Sequence, residues 1–204
     1  MKNNTLKIQK IFEDSIVTKK ACIKDGFQSL VDMGNEITVA IKNGKKIMLC
    51  GNGGSAADAQ HLAAEMLVRL RPMNNREGIA AIALAQDTST ITACGNDFGY
   101  DKLYERMVTS LGSEGDCLIG ITTSGNSNNI LLAMQAAKEM GISVFGFLGA
   151  GGGKALPLCD KVFLVPSKDT GRIQESHITG GHALMEYVED SLLEDGYLTL
   201  QDVK

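Results

Sequence analysis

The side chains best suited to moving protons or holding a metal fall in two stretches. In AQHLAAEM (59–66), His61 and Glu65 stand four residues apart and so share one helix face. In RIQESHITGGHALMEYVED (172–190), Gln174, Glu175, His177 and His182 occur together. These two stretches hold all three histidines of the chain. A His/Glu pair with a distant His and Gln can ligate Zn²⁺ or a similar ion. The same groups can serve as a general acid–base pair without metal. A lone His on a small, apolar helix face is more often a packed core residue, and the second cluster shifts the balance toward chemistry. Spacing adds a constraint. Gln174 and His182 lie about 12 Å apart along an ideal helix. Either the helix starts irregularly at Gln174, or long side chains converge, or two chains share the site.

Two further stretches predict an anion site. GNGGS (51–55) and TTSGNS (122–127) each follow an apolar run and open a helical pattern. Glycine lets a ligand approach the backbone, and the free N–H groups of a helix start attract an anion. Ser55, Thr123, Ser124 and Ser127 add hydroxyl donors, with Thr122 just behind them, and neither loop holds a Lys or Arg. That pattern suits one phosphate monoester. Taken singly, each loop could instead be ordinary helix capping. Gly51 to Ala56 formally matches GxGxxA, but the acidic partner expected about 20 residues on is misplaced: Glu77 precedes the next strand and Asp87 follows it. No GK[ST] follows either loop, which excludes a P-loop.

The elements that must position these groups alternate. Helical spacing runs through 5–43, in Leu6, Ile8, Ile11, Phe12 and Ile16, then Phe27, Leu30, Val31, Ile37 and Ile41. Gly44 ends that pattern. Strands are predicted at 46–50, 78–84, 116–122, 142–148 and 161–166, and helices over 55–71, 100–111, 127–140 and 172–194. Short apolar strands flanked by glycine belong to a parallel sheet buried on both faces. Strands separated by helices imply a doubly wound α/β sandwich. One domain is expected over 1–204, with residues 1–43 as a helical extension that packs on a neighbouring subunit.

At 204 residues the chain can bury a full core. Its net charge of -4, with no basic stripe, argues against a nucleic-acid partner. The five cysteines (22, 50, 94, 117 and 159) form no CxxC; Cys50, Cys94 and Cys117 sit in or beside apolar runs and are expected as buried thiols of a cytosolic protein. MKNNTLKIQKIFEDS carries no leader-like apolar region and no stretch approaches 18 apolar residues, so no membrane contact is expected.

CGNGGSAADAQHLAAE, GNDFGYDKLYERMV, GITTSGNSNNI and VPSKDTGRIQESHITGGH resemble the SIS (sugar isomerase) family and, more narrowly, its phosphoheptose isomerases. The resemblance covers nearly the whole chain. It implies an aldose–ketose isomerase that converts sedoheptulose 7-phosphate into D-glycero-D-manno-heptose 7-phosphate through an enediol(ate), the first step toward nucleotide-activated heptose for lipopolysaccharide or other surface glycans. It implies a cytoplasmic homotetramer with active sites at subunit interfaces. Carried over by motif, it implies substrate or phosphate contacts at Asn52, Gly53, Ser55, Asn96, Asp97, Thr122, Thr123, Ser124, Ser127 and Gln174, with Glu65 and His182 as the acid–base pair. It further implies one zinc ion per subunit on His61, Glu65, Gln174 and His182. Two positions depart from the family pattern. Thr122 stands where many members have Ser, which keeps the hydroxyl. Gly171 stands where some members carry a functional Asp, and Asp169 lies two residues earlier. The same fold and nearly the same loops occur in replication-initiator-binding tetrameric adaptors of the DiaA type, which carry Asn in place of His182. Sugar-phosphate-sensing regulators share the fold but bring a DNA-binding module for which this chain has no room.

Overall fold

The structure, a computed structural model, describes residues 2–84 and 87–201. Five parallel strands form one sheet: β1 (Ile47–Gly51), β2 (Ala81–Ala83), β3 (Cys117–Thr122), β4 (Ser143–Leu148) and β5 (Lys161–Leu164). Their order is β2-β1-β3-β4-β5. The helices are α1 (Lys2–Asp25), α2 (Gln28–Lys42), α3 (Gly54–Leu67), α4 (Thr88–Asp97), α5 (Leu103–Leu111), α6 (Asn128–Glu139) and α7 (Thr170–Glu194), with 3-10 turns at Tyr100–Lys102 and Gly153–Leu158.

Alternation along the strands builds two cores. Ile47, Leu49, Ile119, Ile121, Phe145 and Phe147 pack with α2, α3 and α7 on one face. Met48, Cys50, Leu118, Val144 and Leu148 pack with α5 and α6 on the other. Both faces are covered, which is why these strands read as unbroken apolar runs. The doubly wound α/β sandwich expected from the alternation is present.

Strand order fixes where a ligand can bind. The chain leaves β1 for β2 on one side and then returns past β1 to form β3 on the other. The connections after β1 and β3 therefore diverge, and a crevice opens between them at the carboxyl edge of the sheet. These two connections are GNGGS and TTSGNS.

Local differences from the expected elements have physical reasons. Helix α3 stops at Leu67 rather than Arg71, and β2 is confined to 81–83 within the expected 78–84. Helix α4 was hidden by the poor helix propensity of TSTITACGND, and is started by Asp87, whose carboxylate accepts from Thr90 N at 2.7 Å. Between β4 and β5 only a 3-10 turn intervenes.

The N-terminal helices differ from each other. On α2, Leu30, Met33, Ile37 and Ile41 are buried in this chain's own core, so that stripe is not left for a neighbour. On α1, Leu6, Ile8, Phe12, Ile16, Val17 and Ile23 are exposed. The cysteines expected as buried thiols, Cys50, Cys94 and Cys117, are buried. Burial pushes the Cys50 and Cys117 thiols up to about 12.

His177 belongs to the core and not to the site. It is 1 % exposed and packs against Phe147 and Phe163. Burial pushes its imidazole down to about 4, the Leu148 backbone opposing part of that. Between pH 6.5 and about 4 the unfolded chain therefore binds a proton that the folded chain refuses. Its contribution to stability is complete above pH 6.5 and is lost as pH falls toward 4, a change of about 3 kcal/mol. Denaturant unfolding of wild type and His177→Leu from pH 7 to 4 should show the wild type losing that much more than the variant. Parallel pH profiles would contradict this assignment.

Candidate functional site

The two loops share a property. Gly53 precedes α3 with φ 57° and Ser127 precedes α6, and neither helix start receives a side-chain cap. By contrast, Asp87 caps α4 and Asp169 caps α7, the latter accepting from Arg172 N at 3.1 Å. Capping thus does not explain the hydroxyls of the two loops. Ser55 is buried at 3 % exposure at the first turn of α3. Thr122 Oγ1 lies 3.4 Å from Ser127 Oγ, and Ser124 Oγ accepts from Asn126 N at 3.2 Å, with Thr123 between them in the chain. Each loop thus sets hydroxyls at a helix start and holds no Lys or Arg, an arrangement suited to an oxyanion.

A neutral network joins the loops. Asn52 Nδ2 donates to Asn129 Oδ1 at 2.9 Å, and Asn129 Nδ2 donates back to Asn52 Oδ1 at 2.8 Å. Tyr100 Oη also donates to Asn52 Oδ1, at 2.9 Å. Buried Tyr104 donates to the Gly51 carbonyl at the end of β1. The second loop is braced from behind. Gly125 (φ 65°) would drive a Cβ to 2.0 Å from the Gly152 carbonyl oxygen, so that close approach requires glycine.

Helices α3 and α7 run side by side in the same direction. A Cβ on Gly54 would lie 2.6 Å from Gln174 Nε2, and one on Gly181 would lie 2.6 Å from Leu62 Cδ1. One step further, His61 Nε2 meets His182 Nε2 at 2.8 Å with the rings edge-on, and His61 Nε2 lies 3.3 Å from Glu65 Oε1. The ligand atoms of His61, Glu65 and His182 all fall within 4.8 Å of one another. Two imidazoles and a carboxylate form a borderline N/O donor set that fits zinc or a similar divalent ion.

The expected residues are thus partly gathered. His61, Glu65 and His182 converge, whereas Gln174 stands at the first loop, about two turns back along both helices. Helix α7 is continuous through Gln174, so an irregular start does not resolve the spacing. Glu175 pairs with Arg172. Asn96 and Asp97 are exposed at the end of α4, with Asn96 Nδ2 bonded to Asp97 Oδ1 at 2.7 Å. Gly171 meets only Asp169 Oδ1, at 3.3 Å from its Cβ position, and the Asp169 carboxylate is committed to its cap. Asn129, Tyr100 and Tyr104 were not anticipated. The one signal for Asn129 was its place directly after the second loop, and nothing local marked it as a partner for a residue 77 positions away.

Fold and site together define a SIS domain, and the SIS-domain family model matches residues 12–149. That span ends before α7, which supplies His182 and Gln174. The phosphoheptose isomerase of Aquifex aeolicus is 46% identical over 188 residues, covering 92% of this chain and 97% of the relative. That of Clostridium acetobutylicum is 48% identical over 190 residues, covering 91% and 94%. The solved phosphoheptose isomerase of Neisseria gonorrhoeae superposes with TM-score 0.85 at 40% identity, covering 90% of this chain and 97% of that one. The chain belongs to the phosphoheptose isomerase family of SIS-domain enzymes, and is a sugar phosphate isomerase.

The Asn52–Asn129 pair generates a direct test. Asn129→Ala removes both reciprocal bonds in a site where Asn129 is 2 % exposed, and should cost about 1–3 kcal/mol of stability. Tyr100→Phe removes one more exposed bond and should cost less than about 1 kcal/mol. Denaturant unfolding of both variants checks the order. A neutral Asn129→Ala would mean that the pair does not hold the loops.

Proposed function

We propose that the chain interconverts sedoheptulose 7-phosphate and D-glycero-D-manno-heptose 7-phosphate through an enediol(ate), early in the synthesis of activated heptose for surface glycans. The observation that carries this reading is the His61/Glu65/His182 cluster standing about 10 Å along α3 from an uncapped anion loop. That separation suits a phosphorylated sugar chain anchored at one end and reacting at the other.

In this reading Gly53, Ser55, Thr122, Thr123, Ser124 and Ser127 hold the phosphate. Asn52, Asn96, Asp97 and Gln174 contact the sugar. Anchoring the phosphate far from C1 and C2 fixes the reacting carbons against the cluster. Glu65 takes the proton from one carbon, and His182 serves the carbonyl oxygen as acid or returns the proton as second base. His61, Glu65 and His182 would hold a zinc ion that polarises the substrate carbonyl when bound; Gln174, the fourth donor implied by the family, stands about two turns away in this chain beside Gly54.

The exposed face of α1 supports assembly into a tetramer with sites at subunit interfaces. Beside it an apolar groove of about 420 Å³, lined by Ile23, Phe27, Leu30, Phe163 and Leu184, runs between α1, α2 and α7. Light scattering should give four times the chain mass of 21.8 kDa, and a monomer at micromolar concentration would remove the basis for a shared site. A cytosolic setting is supported by the five cysteines, all free. No helix among the described residues is long and apolar enough to cross a membrane.

His182 separates catalysis from packing. An imidazole can both give and take a proton, and a carboxamide cannot. His182→Asn should keep the fold while losing about 10²–10⁴-fold in kcat, and should weaken zinc binding because Asn is the poorer ligand. Turnover of sedoheptulose 7-phosphate and melting temperature are measured on one preparation. A variant that melts early yet turns over normally would sink the assignment and favour an adaptor role.

A further inference from the structure

Behind the cluster, the connection that follows α3 makes a second link to α7, and none of the roles above uses it. Arg76 and Glu189 form an ion pair with side-chain exposures of 0 % and 1 %. The guanidinium of Arg76 also donates three hydrogen bonds to backbone. Nη2 donates to the Glu65 carbonyl at 3.1 Å, and Nη1 to the carbonyls of Met66 at 3.0 Å and Glu77 at 2.9 Å. Glu189 is itself held from three sides. Besides Arg76 Nε, its carboxylate accepts from Arg71 Nε at 2.6 Å and Asn74 Nδ2 at 2.9 Å. Burial alone would raise the Glu189 carboxyl, but Asn74, Arg76 and Arg71 hold it below the usual range.

Stability alone does not call for this arrangement, since apolar side chains of similar volume often hold a core as well as a buried ion pair. What it supplies is direction. The last carbonyls of a helix lack partners within it, and here one planar fork takes those of Glu65 and Met66 while gripping a carboxylate on α7. Glu189 lies seven residues beyond His182, two turns along the same face. The clamp thus ties the peptide that carries Glu65 to the helix that carries His182.

We propose that Arg76, anchored by Glu189, is a positioning residue that sets the separation of Glu65 and His182. The inference rests on the reading that these two side chains perform the chemistry. Arg76→Lys keeps the charge but cannot span two carbonyls and a carboxylate. Glu189→Gln keeps the shape and removes the charge. The chain offers an internal reference, because His177 sits in the core on the same helix as His182.

Both variants are made with ¹⁵N-histidine, and the three imidazoles are observed by long-range ¹H–¹⁵N correlation alongside steady-state kinetics. In Arg76→Lys the His61 and His182 signals should move while His177 stays, kcat should fall about tenfold or more, and KM should change less than about twofold. Glu189→Gln should move the same two signals by less. If the three signals move together, or none moves, or kcat is unchanged, the clamp is structural only and the proposal fails. Should Arg76→Lys not fold, Glu189→Gln decides by the same signals. A wild-type chain inactive on the heptose phosphate would refute the proposed reaction, and the imidazole signals would still decide the clamp.

Discussion

The close, same-direction packing of α3 on α7 is the constraint from which the site follows. Gly181 makes it possible, because any side chain there would collide with Leu62. Once the two axes are that near, the ladder of facing residues is set. Gln174 falls beside the first loop and His182 beside His61, while Glu189 lies past the end of α3, where Arg71 and Arg76 of the following connection reach it. Both helices start at the carboxyl edge of the sheet, so the ladder begins at the ligand crevice and runs away from it. The His61/Glu65/His182 cluster and the first loop are thereby placed at a separation measured in helical turns.

The loops work by a different economy of charge. Neither contains a cation, and the network between them is made of carboxamides and phenols. Amide pairing neither titrates nor repels, so the loops keep their register whether or not an anion is present. The attraction left for a ligand comes from oriented N–H groups and hydroxyls, which act at contact range.

Much of this was legible in the sequence, for identifiable reasons. Apolar runs broken by glycine marked the strands, and the i, i+4 spacing put His61 and Glu65 on one face. What escaped notice depended on partners far away in the chain. His177 looked like a member of the site because it sits five residues from His182, yet five residues turn a helix through well over a third of a circle and point it into the core. Helix α4 escaped because its start is set by the Asp87 cap while its Thr-rich body has weak propensity. Strand order was not readable either, and strand order is what turns two loops into one crevice. Helix α2 read as an appendage because it precedes the first strand, although its stripe completes the core under α7.

The ladder between α3 and α7 has a consequence for how the molecule comes into being. His61 and His182 are separated by 121 residues, and Arg76 and Glu189 by 113. Contacts this distant in the chain carry a large loop-closure cost and form late in folding. A ribosome delivers α3 and both loops long before it delivers α7. Until α7 docks, Leu62 lacks its cover and the carboxylate of Glu65 has no imidazole from across the groove. Assembly of the His61/Glu65/His182 cluster is therefore tied to the arrival and docking of α7, and an emerging chain lacks the cluster until that helix is in place.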